Sequence, residues 1–355
     1  MSTTVVRSPR HRQPVARPPR GRMHRPLLVM VTAMAALALV CLAGMLVDDR
    51  VLLGESVWRK PFKFAVAFAV YGLTLAWLLA LPHRGRRITW WLGTLFAVTG
   101  IVDVGFIALQ AARGTFSHFN TADDPVNAVG QMVFTSGVPG LFLASLLIGA
   151  VIARQRPADL PTTRAIHGGL ALAVTGMALA YTMGFTGGRR VRDADGEIVE
   201  LSAGHTVHDG TDGNAALDAG LPLTGWSTVG GDLRIPHFVG LHGIQVLLAT
   251  VLVLGLLARR RPWLRPQRVR ARLVGVVALG YAGLLGLVFW QAMRAQPLLR
   301  PDAWTLLAAG ALTAAVAAGV AAVRAGARVN AAVRVNAAVR ADAAVQVNAA
   351  VRPRG

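Results

Sequence analysis

Three polar segments interrupt an otherwise apolar chain, and they hold the residue types that can do chemistry. SVWRKPFKF (56–64) carries Arg59, Lys60 and Lys63, and RGTFSHFN (113–120) carries Arg113, Ser117 and His118. GWSTVGGDLRIPHFVGLHGIQ (225–245) carries Ser227, Asp232, Arg234, His237, His242 and Gln245. Cations grouped in this way suit a phosphate or carboxylate. Lys60 and Lys63 are the only lysines among 37 basic residues. Retaining a compact ammonium in a chain that uses arginine everywhere else points to a required point charge, since the two side chains are not equivalent. The plainer alternative is a helix start at which Pro61 fits the first turn and the lysines snorkel.

A second group lies deeper. Asp103 falls in the apolar run LFAVTGIVDVGFIALQAARG, roughly 13 Å from its outer end at the helical rise, with Gln110 on the same face. His242 falls roughly 9 Å into a later run. Ionisable groups at such depths are costly and need partners, so Asp103 and His242, with Gln245, are expected to form a buried, protonatable pair. A purely structural pair is the competing reading. His237 and His242 are five residues apart, about 140° around a helix, and are not expected to chelate one metal. The ligand-binding candidates are therefore Lys60, Lys63, Arg113, His118, Asp232, Arg234 and His237. No residue is assigned as catalytic, no metal ligands are assigned, and no cofactor is identified. His205 and His208 with Asp209 and Asp212 have no strong metal spacing. Ser117 and Ser227 carry no mark of an activated nucleophile. His11, His24 and His83 sit among arginines and read as solvated.

The elements that must position these residues are membrane spans. The 355 residues are 54% hydrophobic and 15% charged, with mean hydropathy +0.50. Soluble domains carry about 25% charge, and runs of about 20 apolar residues mark spanning helices. The runs 26–47, 62–82, 88–112, 127–153, 165–187, 236–258, 272–293 and 302–323 give eight spans in an all-α polytopic bundle, with N- and C-termini cytoplasmic. The net charge of +20 would suggest nucleic acid in a soluble chain, but no aromatic-interleaved basic domain is present. The arginines instead collect in alternate loops, HRGRR (83–87), RQRPADLPTTR (154–164) and RRRPWLRPQRVRAR (259–272), as cytoplasmic loops do. Trp58, Trp226, Trp290 and Trp304 fall at the opposite boundary, and Trp77, Trp90, Trp91 and Trp263 at or near this one. The partners implied are the lipid bilayer and an anionic lipid or small molecule, in a bacterial cytoplasmic membrane, with no nucleic acid.

The single cysteine, Cys41, excludes an intrachain disulfide, a Cys-ligated zinc site and a C-x-x-C-H haem attachment. Residues 1–25 are Arg- and Pro-rich and read as a disordered basic tail. Residues 188–235 read as an irregular outer loop. Gly280, Gly283 and Gly286 suit close helix packing. Residues 324–355 contain in-register hexapeptides (VNAAVR, VNAAVR, ADAAVQ, VNAAVR) and read as a mobile, partly helical basic tail.

S-x-W-x-K-P-x-K-F, R-G-x-x-S-H-F-N and G-D-L-R-x-x-H-F-x-G-L-H-x-x-Q together resemble a family of uncharacterised bacterial multi-spanning membrane proteins. The resemblance covers roughly residues 50–290. It implies that the three segments belong together and implies no chemistry.

Four functions fit these residues. The first is an outward-facing intramembrane site that binds or transports an anionic or amphipathic small molecule or lipid. The second is a haem or quinone oxidoreductase with histidine axial ligands, which needs imidazoles at similar depth on facing helices. The third is a lipid-modifying enzyme with His237 or His242 as general base. The fourth is a structural membrane protein without a ligand.

Overall fold

A computed structural model describes residues 22–208, 220–222 and 224–351. The N-terminal tail up to residue 21, His11, Asp209 and Asp212 lie outside the described residues. The helices are α1 (Arg25–Val47), α2 (Arg59–Ala80), α3 (Arg86–Ala112), α4 (Pro125–Ile152), α5 (Leu160–Ala180), α6 (Arg234–Leu241), α7 (Gly243–Arg260), α8 (Gln267–Met293) and α9 (Ala303–Val351). Eight described helices are long and apolar enough to cross a membrane, and the fold is an all-α polytopic bundle.

Local signals set the ends. Asp124 caps α4 by accepting from Asn127 N at 3.0 Å, with Pro125 at the first position. Asp159 caps α5 in the same way, with Pro161 in its first turn. Both satisfy backbone donors that a helix start leaves open.

The sixth span is not continuous. It breaks at His242 into the eight-residue α6 and the membrane-length α7. Beside the break, Gly176 of α5 faces Gly240 of α6. A Cβ on either would collide with the other helix's backbone, so α6 lies directly on α5.

Helices α1, α2 and α3 pack on one another, and α5 packs on α6, α7 and α8. Helix α4 touches both groups, through α3 and α5. Leu75, Leu79, Ile148, Ile166, Leu170 and Ile244 join one core at the arginine-rich end of the bundle. The opposite end carries short hairpins: β1 (Val51–Leu52) with β2 (Glu55–Ser56), β3 (Arg189–Arg192) with β4 (Ile198–Leu201), and β5 (Thr206–Val207) with β6 (Gly231–Asp232). Residues 188–235 are thus partly ordered into antiparallel ladders rather than irregular throughout. Val191, Val199 and Leu201 bury against Phe116 and Phe119, which ties the β3–β4 hairpin to the RGTFSHFN turn.

Helix α9 carries the hexapeptide tail in helical form through Val351. It runs unbroken for 49 residues, about 74 Å at the helical rise, well beyond a hydrocarbon core of about 30 Å. A six-residue step advances 240° around a helix, so the repeat defines no single helical face. Val316 and Leu312 of α9 press on Gly280 and Gly283 of α8, while Gly286 meets nothing. His24 is buried rather than solvated, and His83 is half-buried. His24 caps α1 by accepting from Leu27 N at 3.3 Å and bonds the Trp90 carbonyl, while His83 bonds Thr89 Oγ1 at 2.8 Å.

Candidate functional site

A cavity of about 1200 Å³ is lined by residues of α2, α3, α4, α5, α6 and α8 and reaches the hairpin end. All three polar segments contribute to its lining. Its lower wall is apolar and aromatic, with Phe68 from α2, Phe96 and Ile107 from α3, Phe134 and Phe142 from α4, and Phe238 from α6.

The rim is cationic. Arg59, Lys60, Lys63, Arg189 and Arg234 all line the cavity. Two carboxylates answer part of this charge. Glu55 on β2 takes Arg59 at 3.3 Å and Lys63 at 3.4 Å, and Lys63 also donates to the Thr224 carbonyl at 2.8 Å. Asp232 takes Arg234 at 2.6 Å and accepts from the backbone nitrogens of Ser227 and Arg234 at 2.8 and 2.9 Å. The Asp232 side chain is fully buried and does not line the cavity, so it positions Arg234. Arg234 also donates to the Gly225 carbonyl. Gly225 has φ +65°, and a Cβ there would run into Glu55, so the turn that accepts from Arg234 requires glycine.

Lys60 differs from the others. Among the described residues no acceptor bonds its ammonium, and the charges acting on it are Arg234, Lys63 and Arg189, all of like sign.

Histidines ring this cation cluster. His118 packs against Phe134 at 4.5 Å and Phe64 at 5.6 Å between ring centroids, and bonds Ser117 Oγ at 3.1 Å through Nδ1. His205 lies 6.4 Å from His118, and both line the cavity. Burial, and then the charge of Lys60, holds His118 well below the ordinary imidazole range. Burial, and then Arg234 and Lys60, does the same for His205. Both imidazoles are neutral at pH 7. His208 also lines the cavity, with both ring nitrogens buried and without a hydrogen-bond partner. Among the described residues no three His, Cys, Asp or Glu side chains converge to hold a metal ion.

The remaining candidates separate. Arg113 is not at the cavity. It bonds Asp124 at 3.0 Å and Gln110 at 2.8 Å, bracing the start of α4. Gln110 continues into Asn127, which donates to the Asn120 and Ala122 carbonyls. RGTFSHFN is therefore largely a structural turn, with His118 as its contribution to the cavity. His237 lines the cavity and donates from Nδ1 to the Gly176 carbonyl at 2.9 Å, across the α5–α6 contact. His242 lines it at the helix break, its ring parallel to Phe238. Asp103 also lines it, but both its carboxyl oxygens lack a hydrogen-bond partner. The expected Asp103–His242 pair is therefore not formed. Gln245 lies beside His242, with a side-chain hydrogen bond between them, and its amide donates to Thr74 Oγ1 at 3.1 Å.

Sequence reasoning passed over Arg189 and undervalued His205 and His208. The Gly187–Gly188 pair ahead of Arg189 and the β5 pairing beside His205 bring them to the rim, and neither contact leaves a periodic signal. Fold and site together define a multi-pass helical bundle with an amphipathic cavity open toward one end. No protein-family model, no curated protein and no solved structure matches the chain.

Proposed function

We propose that this chain binds, within the membrane, an amphiphile with an anionic headgroup and an apolar chain, and carries it between the bilayer and the outer face. The membrane would be a bacterial cytoplasmic one, with the hairpin end outward and the arginine-rich loops inward, following the charge bias of the loops. The headgroup would sit among Lys60, Lys63, Arg189 and Arg234, and the chain would run down the aromatic wall.

The observation that carries this reading is Lys60, whose amine has no acceptor among the described residues and faces Arg234, Lys63 and Arg189 at the mouth of the cavity. Burying uncompensated positive charge is costly unless something negative completes the site. An apolar tail gains little by leaving one hydrocarbon environment for another, so selectivity must come from the headgroup. Neutral His118 and His205 can each offer one further N–H donor to a headgroup oxygen.

The test compares oleyl phosphate with oleyl alcohol, which share a chain and differ in charge, by equilibrium binding to the detergent-solubilised full chain. Oleyl phosphate should bind at least about tenfold more tightly, as a charge-assisted hydrogen bond of about 1.5–3 kcal/mol requires. Equal affinities would remove the proposal.

A further inference from the structure

We infer that Asp103 is a second binding residue, accepting a hydrogen bond from a hydroxyl partway along the ligand's chain, so that the ligand is a hydroxylated anionic amphiphile. This rests on the reading above and adds a subsite to it.

Asp103 is 2% exposed, yet it lines the cavity, and neither carboxyl oxygen has a hydrogen-bond partner. Its neighbours along α3, Val104 and Ile107, are buried and apolar. On the facing helix it rests against Gly137, where an added Cβ would collide with the carboxyl group. That contact places the group without satisfying it, because Cα hydrogens are poor donors. A buried acceptor left without a donor costs free energy, and the remaining open side is the cavity. Something that occupies the cavity can supply the missing donor.

The surroundings narrow the class of that donor. A cation entering from the rim would pass Lys60, Lys63, Arg189 and Arg234, which repel it. A neutral O–H meets no such barrier. Depth narrows it further. Asp103 lies nine residues before Ala112, the last residue of α3, or about 13 Å along the helix. A headgroup at the rim and a hydroxyl at Asp103 are therefore separated by about half the thickness of a hydrocarbon core. The hydroxyl belongs mid-chain rather than beside the headgroup.

Ricinoleate and oleate are matched probes: both are carboxylates of equal chain length and unsaturation, and ricinoleate has a mid-chain hydroxyl. Their affinities for the solubilised full chain are measured side by side, in the wild type and in Asp103→Leu and Asp103→Asn. The wild type should prefer ricinoleate by about tenfold, and Asp103→Leu should bring the ratio to one. Asp103→Asn, which keeps a carbonyl acceptor, should retain a preference for ricinoleate. Equal affinities in the wild type overturn the inference without recourse to any variant, as does a preference that survives in Asp103→Leu. If the wild type bound neither carboxylate, the headgroup reading itself would fail, which is a different result from binding both equally.

Discussion

Replacing Lys60 by methionine keeps an unbranched side chain, one atom shorter, and removes the amine. The structure gives this change two opposite effects. Without ligand, the Lys60 ammonium has no acceptor and faces Arg234, Lys63 and Arg189. Like charges repel by on the order of 1–4 kcal/mol at an effective dielectric near 20, and the charges acting on Lys60 are all cationic. A net relief of about 1–2 kcal/mol is expected, so Lys60→Met should melt a few degrees higher than the wild type in detergent. With an anionic amphiphile bound, the same residue supplies a charge-assisted hydrogen bond of about 1.5–3 kcal/mol. The variant should lose about 10–100-fold in affinity for oleyl phosphate. The assay is a thermal melt of both proteins across a titration of oleyl phosphate. The wild type should start lower and climb with ligand, and the variant should start higher and climb less. A variant that starts lower and climbs as steeply as the wild type would show that Lys60 is a packing residue.

Other changes separate scaffold from site. Arg234→Ala leaves the fully buried Asp232 carboxylate without its partner and should cost about 3–5 kcal/mol, read as a large loss of Tm or of folded yield. Asp124→Ala removes the α4 cap and should cost about 1 kcal/mol while leaving the oleyl phosphate affinity within a factor of two, since neither Asp124 nor its partner Arg113 lines the cavity. Stability should fall on acidification. His118 and His205 are held below their ordinary value, so the unfolded chain binds more protons as pH drops through about 6.5, costing about 1 kcal/mol per histidine by pH 5.5. His205→Gln should flatten the profile of Tm against pH, and an unchanged slope would mean that His205 is not held neutral. Gly176→Leu should disrupt the α5–α6 contact and abolish folding, measurable as loss of a monodisperse detergent complex.

Length and apolarity revealed the bundle. The spans follow from a hydrocarbon core that accepts only long apolar helices, and their ends follow from caps such as Asp124–Pro125 that are written in adjacent residues. The break at His242 leaves no mark in the spacing of apolar residues, and the Gly176–Gly240 contact beside it joins helices far apart in sequence. The helix of the repeat tail is legible only in part: its hexapeptide period matches no helical face, while its alanines favour a helix without one. At the site, residue type singles out Lys60, Lys63, Arg234 and Asp103, since charge near or within an apolar run is conspicuous. Type did not reveal which charges find partners. Arg113 is spent on Asp124 and Gln110, Arg234 on Asp232, and Asp103 on nothing. Pairing depends on tertiary distances, and it decided the roles.

Occupancy of the cavity by an amphiphile is tested most directly with a photoactivatable diazirine analogue of palmitate, cross-linked to the full chain in vesicles and mapped by peptide mass spectrometry. Adducts should concentrate on cavity residues of α2 and α4, such as Phe68 and Phe134, and should be competed away by oleyl phosphate. Adducts confined to lipid-exposed side chains such as Leu306 and Leu307 of α9, and indifferent to competitor, would mean that the cavity does not hold amphiphiles.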